Sequence, residues 1–371
     1  MIENVLPNDT QQPGIPARVN WRQVCYFLGL TFALTLLLDF ILWRTIGYGA
    51  NLSTGLLLQT QMLLPAFSAI LLSLFFFKES PIYFKTYRGR ARWFFYVFLA
   101  YTVIFVLLSG AAVLAPSLNL QISLAAASAT YLGLLLLVAI RIVSGRDSFS
   151  QAGLRGGKLL EWVFYGAAFI LFYALQTALN AIFGLGVKVN QVDFLASQGV
   201  PLEGMPVNVI LFLIAFQTIL IAPFQGLIFG FGEEYGWRGY LQGELVKLGK
   251  IRGILIVGLI WGVWHWPVIW MGHNYPGYPL WGTFLMTGYT ILLGFVLGYV
   301  MLKTRAIWLV AFLHALNNQV YSYLAAMVYT PNHPIFSFGI GLYGILTLIP
   351  IVLLLFLDPI WKDKDLFHEI H

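Results

Sequence analysis

Cysteine is almost missing: Cys25 is the single thiol in 371 residues. That excludes an internal disulfide framework and any multi-cysteine metal site. Charge is scarce too. Asp, Glu, Lys and Arg together make up 10% of the chain, against about 25% in an ordinary soluble domain. There is no Gly-rich phosphate loop and no His-Glu-x-x-His pair. No Ser or Cys stands in a convincing nucleophile context, which argues against serine-type chemistry. No internal repeat or low-complexity segment is present. The net charge of +6 comes without a basic stripe, because the basic residues are scattered through short loops, so nucleic acid is not an expected partner.

What is present is apolar. Hydrophobic residues reach 59% and aromatics 16%, with a mean hydropathy of +0.80. This is the composition of an all-α polytopic membrane protein whose solvent is mostly lipid. A spanning helix needs about 20 mainly apolar residues. Ten segments qualify: 24–43, 56–77, 93–114, 122–140, 162–183, 210–235, 253–270, 280–300, 307–327 and 338–357. The fourth is the weakest, being rich in small residues. Residues 1–20 read as a disordered tail. A full-length span follows them, not a short apolar region with a cleavage site, so an uncleaved first helix is expected.

Lys and Arg concentrate in cytoplasmic loops. Nineteen of the basic residues fall in the two tails and in alternate loops, and only Arg44 and Lys188 fall on the opposite side. This alternation predicts about ten helices with both termini cytoplasmic. The implied organisation is a tail at 1–20, N-terminal membrane helices at 21–160, a membrane core at 161–357 and a second tail at 358–371. The short basic loops, with no organelle signal, suggest a bacterial plasma membrane.

Ionisable side chains at membrane depth are functional candidates by default. Glu233 and Glu234 are adjacent near the cytoplasmic end of the sixth span. Glu234 and Arg238 stand four apart with the acid first, the favourable order for a helical ion pair. Glu233 points about 100° away and is left without a local partner. His265 lies roughly 18 Å into the seventh span, with Trp261 one turn earlier and Pro267 expected to loosen the helix just after it. His314 and Asn318 share a face of the ninth span, His314 roughly 10 Å from its start, while Asn317 points elsewhere. Asp39 reads as a packing residue, and Gln59, Gln61 and Gln217 as interhelical hydrogen-bond partners. Trp237, Trp261 and Trp264 are candidates to wall a cavity.

Glu, His, His and Asn together suit hydrolysis of an amide. A glutamate beside a histidine can hold and deprotonate a water, while a second histidine and an amide stabilise an oxyanion. Alternatively, Glu233, His265 and His314 form a possible zinc-ligand set with an open water position. A transporter or proton relay would use similar groups, but no inverted repeat is visible. A non-catalytic partner-binding protein is a third reading.

Glu-Glu-x-x-x-Arg at 233–238, aromatic-x-x-x-His at 261–265 and His-x-x-x-Asn at 314–318 resemble the motifs of the CAAX prenyl endopeptidase type II family. That group is also called the CAAX protease and bacteriocin-processing, or Abi, family. The motif order agrees, and the resemblance extends over roughly residues 160–357. Trp261 stands where phenylalanine is commoner, a change expected to be tolerated. The resemblance implies an intramembrane endopeptidase with Glu233 as general base and His265 helping to hold the water. It implies that His314 and Asn318 stabilise the oxyanion, and that Glu234 and Arg238 organise the site. It leaves metal-dependent and metal-free mechanisms both open. The implied partners are membrane lipid and a membrane-associated peptide or protein, either of the prenylated CAAX type or bacteriocin-like. Glu233, His265, His314 and Asn318 are expected to converge on one hydrated cavity in the cytoplasmic half of the membrane.

Overall fold

This computed structural model describes residues 18–363, apart from 46, 48, 50, 198, 200–203 and 205. Most of the predicted N-terminal tail and the C-terminal residues from 364 onward, His368 and His371 among them, lie outside the described residues.

The chain is an all-α membrane bundle. The apolar runs fold as α1 (Trp21–Thr45), α2 (Leu52–Phe75), α3 (Arg92–Leu114), α4 (Asn119–Gln151) and α5 (Leu159–Ile182). A short strand β1 (Gly186–Lys188) and α6 (Gln191–Ser197) follow. The next helical stretch is broken into α7 (Val207–Phe216), α8 (Ala222–Gln225), α9 (Leu227–Glu234) and α10 (Gln242–Leu245). The remainder is α11 (Lys250–Trp264), α12 (Trp266–Trp270), α13 (Pro279–Thr304), α14 (Ile307–Met327), β2 (Tyr329–Pro331) and α15 (Leu342–Leu355). β1 and β2 form a small antiparallel ribbon with Gly186 opposite Pro331.

Among the described residues, eight helices are long and apolar enough to cross a membrane. Two of the ten expected spans fall short of that standard. α14 has 21 residues, but His314, Asn317, Asn318 and Gln319 lower its hydropathy. α15 has only 14 residues.

The basic loops meet at one end of the bundle. The start of α1 reaches α10, where the Asn20 N–H donates to Glu244 at 3.0 Å. Arg90 donates to the Val143 carbonyl at 3.4 Å, and the Trp308 N–H donates to the Arg155 carbonyl at 3.3 Å. Lys303 pairs with Asp358 at 2.9 Å. The opposite end is tied by the β ribbon and by the Tyr275 hydroxyl, which donates to the Ile340 carbonyl at 2.7 Å.

α9 is the central element. It runs between α14 and α2 so closely that side chains are excluded at the crossings. A Cβ on Gly230 would lie 2.3 Å from the Ala311 carbonyl oxygen, and one on Gly232 would lie 2.4 Å from that of Met62. Small residues of this kind let membrane helices approach backbone to backbone. An N-terminal helix therefore walls the same region as the C-terminal half. The buried Phe27, Leu72 and Trp237 share one apolar cluster with Trp261, Leu293 and Leu313.

Candidate active site

The sixth span was expected to end near residue 235, and it does not. Past Glu234 the chain stays helical. It widens to π-helical turns over Tyr235–Leu241 before α10, the Gln242 N–H donating five residues back to the Trp237 carbonyl. A first π turn lies at Gln217–Ile221, between α7 and α8. Such π turns are frequent at functional sites. The continuation through Arg238 to Leu248 moves the two glutamates from a helix end to a helix interior, where both are buried, Glu233 3% and Glu234 0% exposed.

The neighbouring carboxylates are held differently. Glu234 Oε1 accepts from Arg238 Nη1 at 2.9 Å and lies 2.6 Å from His314 Nδ1. The expected i, i+4 pair is thus formed, but Glu234 also orients the histidine. Glu233 Oε2 accepts from the indole Nε1 of Trp261 at 2.8 Å. Its other oxygen, Oε1, faces His314 Nε2 at 3.6 Å. That separation is too long for a direct hydrogen bond, so both atoms keep capacity for a third group between them.

The partner of each ring nitrogen restricts its tautomer. A carboxylate acceptor at His314 Nδ1 places a proton there and leaves Nε2 aimed at Glu233. His265 Nδ1 lies 2.8 Å from the Trp261 carbonyl oxygen, which can only accept, so His265 Nε2 carries the lone pair when the ring is neutral. His265 sits at the break between α11 and α12. The break falls at the histidine rather than just after it, because Pro267 lacks an N–H and crowds the preceding turn.

Trp261 joins these groups. Its ring lies 4.1 Å from the Arg238 guanidinium carbon, 5.6 Å from the His314 ring and 5.7 Å from the His265 ring. By motif alone this position asks only for an aromatic ring. The structure gives it a hydrogen bond to Glu233 that phenylalanine cannot make. The signal was there in the indole N–H, which needs an acceptor when buried. Trp264 instead donates to Thr35 on α1 at 2.9 Å, and Trp237 packs edge-on against it.

Asn318 stands apart. It is exposed, and its Oδ1 accepts from the Asn317 amide at 3.1 Å. Among the described residues no hydrogen bond joins it to the other five candidates. Asn317, set aside in the sequence, is buried, and its Oδ1 is held by the hydroxyls of Tyr173 at 2.6 Å and Tyr289 at 2.9 Å. This knot fastens α5 and α13 to α14 three residues beyond His314. Away from the site, Asp39 is buried and accepts from Gln61 at 2.6 Å, and Gln217 donates to Gln225 at 3.2 Å.

Among the described residues no three His, Cys, Asp or Glu side chains are grouped as ligands of one ion. In the suggested set of Glu233, His265 and His314 both Nδ1 atoms are committed, which leaves the two Nε2 atoms as the available donors, with the Arg238 guanidinium in the same cluster.

Comparison with curated proteins and with solved structures finds no match. A family model does match. Residues 212–320, which hold Glu233, Glu234, Arg238, His265, His314 and Asn318, match the family described as Type II CAAX prenyl endopeptidase Rce1-like, the family that the three motifs resemble.

Proposed function

We propose that the protein is an intramembrane endopeptidase that hydrolyses a peptide bond of a membrane-associated substrate, with Glu233 as general base. One observation carries this reading. Glu233 has one oxygen fixed by Trp261 at 2.8 Å and the other 3.6 Å from a histidine nitrogen that is itself oriented from behind. A water between those two atoms has an acceptor for its proton and a neighbour that steers the carbonyl oxygen.

In the proposed reaction the water oxygen attacks the carbonyl carbon as its proton passes to Glu233. The oxyanion is met by His314 Nε2–H and, once substrate is bound, by the Asn318 amide. Donation from Nε2 while Nδ1 serves Glu234 requires a doubly protonated ring. Charge counting supports that state: two carboxylates against Arg238 leave one negative charge, which an imidazolium balances. Glu233 then returns its proton to the departing amine. His265 offers a lone pair to the same water. The family match supports a membrane-associated peptide or protein as substrate, and a CAAX-type or bacteriocin-like peptide is the class proposed.

The loop charges support a cytoplasmic location for the basic end of the bundle. Reporter fusions near residues 85, 150 and 248 should report one side, and fusions near 118, 275 and 332 the other. The activity test is a panel of lipid-tethered peptides incubated in heavy-oxygen water with the purified protein. Cleavage should give a new carboxyl terminus carrying one heavy oxygen, and Glu233→Gln should abolish it. Equal cleavage by that variant would end the general-base assignment.

A further inference from the structure

A groove of about 610 Å3 opens where α4, the turn after it and the start of α5 meet. Its shape comes from two glycines. Gly145, at φ 77° and ψ 166°, interrupts α4 and turns its last residues back on themselves. Gly157, at φ 80°, lets the following turn press against Ala306. Both conformations fall where a residue with a Cβ is disfavoured.

One part of the lining is strongly basic. Arg141, Arg146, Arg155 and Lys158 face the groove against one acid, Glu161. Glu161 is already engaged, with its Oε2 accepting the Lys158 backbone N–H at 2.7 Å. Arg155 Nε donates to the Ser150 hydroxyl at 2.8 Å, and Arg141 rests over the Phe149 ring at 5.5 Å. Among the described residues none of the four cations is in an ion pair. Four cations against one carboxylate leave the recess with a net positive charge, which selects an anion.

The other part of the lining is apolar and continuous with lipid-facing surface. Val138 and Ile142 line the groove and are 56% and 73% exposed. Leu135, Val143, Leu159 and Leu160 extend the exposed apolar belt along α4 and α5. A free inorganic anion would use the cations and leave this belt without a role. An amphiphile uses both. A zwitterionic headgroup carries its own ammonium, which the four cations repel.

We propose that this groove binds an anionic membrane phospholipid, its headgroup phosphate among Arg141, Arg146, Arg155 and Lys158 and its acyl chains along α4 and α5. Basic pockets between helices at a membrane edge suit such headgroups, and each Lys or Arg near an anionic surface contributes about 1 kcal/mol. The site is also positioned to matter. Its floor includes Leu227, the first residue of α9, and Trp308 on α14. Those two helices carry Glu233 and His314. Trp308 in turn stacks on Phe231, their ring centroids 4.5 Å apart. A bound lipid braces the joint between them. The proposal does not depend on the protease reading, and its test uses no catalytic readout.

The test measures unfolding temperature and retained lipid by native mass spectrometry, for the full chain in neutral detergent. Phosphatidylglycerol, phosphatidylcholine and inorganic phosphate are compared. Phosphatidylglycerol should raise the unfolding temperature and be retained as a discrete adduct, and the other two should do neither. Arg141→Gln with Arg146→Gln should weaken the phosphatidylglycerol response about tenfold or more in concentration. Val138→Trp keeps every cation and fills the apolar wall, and it should weaken the response as well, which decides the matter if the arginine variant does not fold. Equal stabilisation by both lipids, or a phosphatidylglycerol response unchanged in Val138→Trp, would overturn the proposal. Inorganic phosphate alone reproducing the shift would reassign the site to a free anion and overturn it too.

Discussion

Replacing Glu234 by glutamine should cost far more stability than replacing Glu233, although the residues are adjacent and almost equally buried. Glu234 Oε1 is shared by Arg238 Nη1 and His314 Nδ1, at 2.9 and 2.6 Å. Arginine cannot shed its proton in a protein, so Glu234→Gln leaves a guanidinium buried without its counter-charge. Breaking a buried ion pair from one side costs about 3–5 kcal/mol. The cation–π contact with Trp261 recovers at most about 2 kcal/mol, and it exists already in the parent. Glu233→Gln is different. A glutamine oxygen can still accept the Trp261 indole N–H, so the loss is limited to about 0.5–1.5 kcal/mol, the net worth of an ordinary hydrogen bond.

At about 2–4 °C per kcal/mol, the value for domains of about 150–250 residues, Glu234→Gln should lower the unfolding temperature by roughly 10 °C and Glu233→Gln by no more than roughly 6 °C. Thermal unfolding of both variants in one detergent, followed by intrinsic tryptophan fluorescence, measures the difference. The peptide assay adds the second half of the expectation: Glu233→Gln folded and inactive, Glu234→Gln impaired in both respects. Equal and small shifts for the two variants would refute the reasoning, because the Glu234–Arg238 pair would then not be a desolvated one.

Trp261→Phe keeps an aromatic ring at this position and removes the 2.8 Å hydrogen bond to Glu233 together with part of the buried indole. It should reduce kcat about 10–100-fold with KM little changed, since a displaced base loses orientation and not substrate binding. Gly230→Ala sets a methyl group 2.3 Å from the Ala311 carbonyl oxygen and should destabilise the fold by about 1–3 kcal/mol through overpacking, read as a drop in unfolding temperature. His273, in the loop between α12 and α13, is pushed by burial from its ordinary 6.5 to about 4. The unfolded chain therefore takes up a proton between those values that the folded one refuses, so stability is full above about pH 6.5 and declines toward about pH 4. His273→Asn should flatten that part of the melting-temperature profile, and an unchanged slope would exclude His273 as its source.

The spans were legible because lipid imposes a rule that composition obeys. Each long apolar run had to be a helix with its backbone satisfied internally, and α1 to α5 and α13 overlap their predicted ranges accordingly. The breaks were less legible. Nothing in the hydropathy of residues 207–248 separates α-helical from π-helical turns, since both satisfy the backbone and differ by one residue in hydrogen-bond spacing. The sequence motifs pointed to Glu233, Glu234, Arg238, His265 and His314, but the roles within the cluster depend on which atoms meet. That Glu234 serves Arg238 and His314 together, or that Trp261 holds Glu233, needs side-chain positions from α9, α11 and α14 at once. Asn317 is a related case. Helical spacing puts it off the His314 face, but only the packing of α5 and α13 shows that its own face is the one enclosed.

The paired glutamates raise a physical question, because one buried carboxylate near lipid is costly and two are costlier. The arrangement answers it by division of labour along a single chain of contacts. Arg238 compensates Glu234, Glu234 fixes His314, and His314 Nε2 approaches Glu233 Oε1 at 3.6 Å. Only the first link is an ion pair closed within one helix. The second crosses from α9 to α14, and its geometry depends on the backbone contact that Gly230 permits with Ala311. A glutamate able to act as a base must keep one oxygen uncommitted. Burial alone would favour committing both. The neighbouring Glu234 takes up the local cation, and the neighbouring Trp261 takes up one oxygen, so that Glu233 Oε1 is left facing His314. The Gly230 crossing on α9 is thus part of the same device as the carboxylates, because without it α9 and α14 would meet at side-chain distance and the pair of atoms 3.6 Å apart would be driven away from each other.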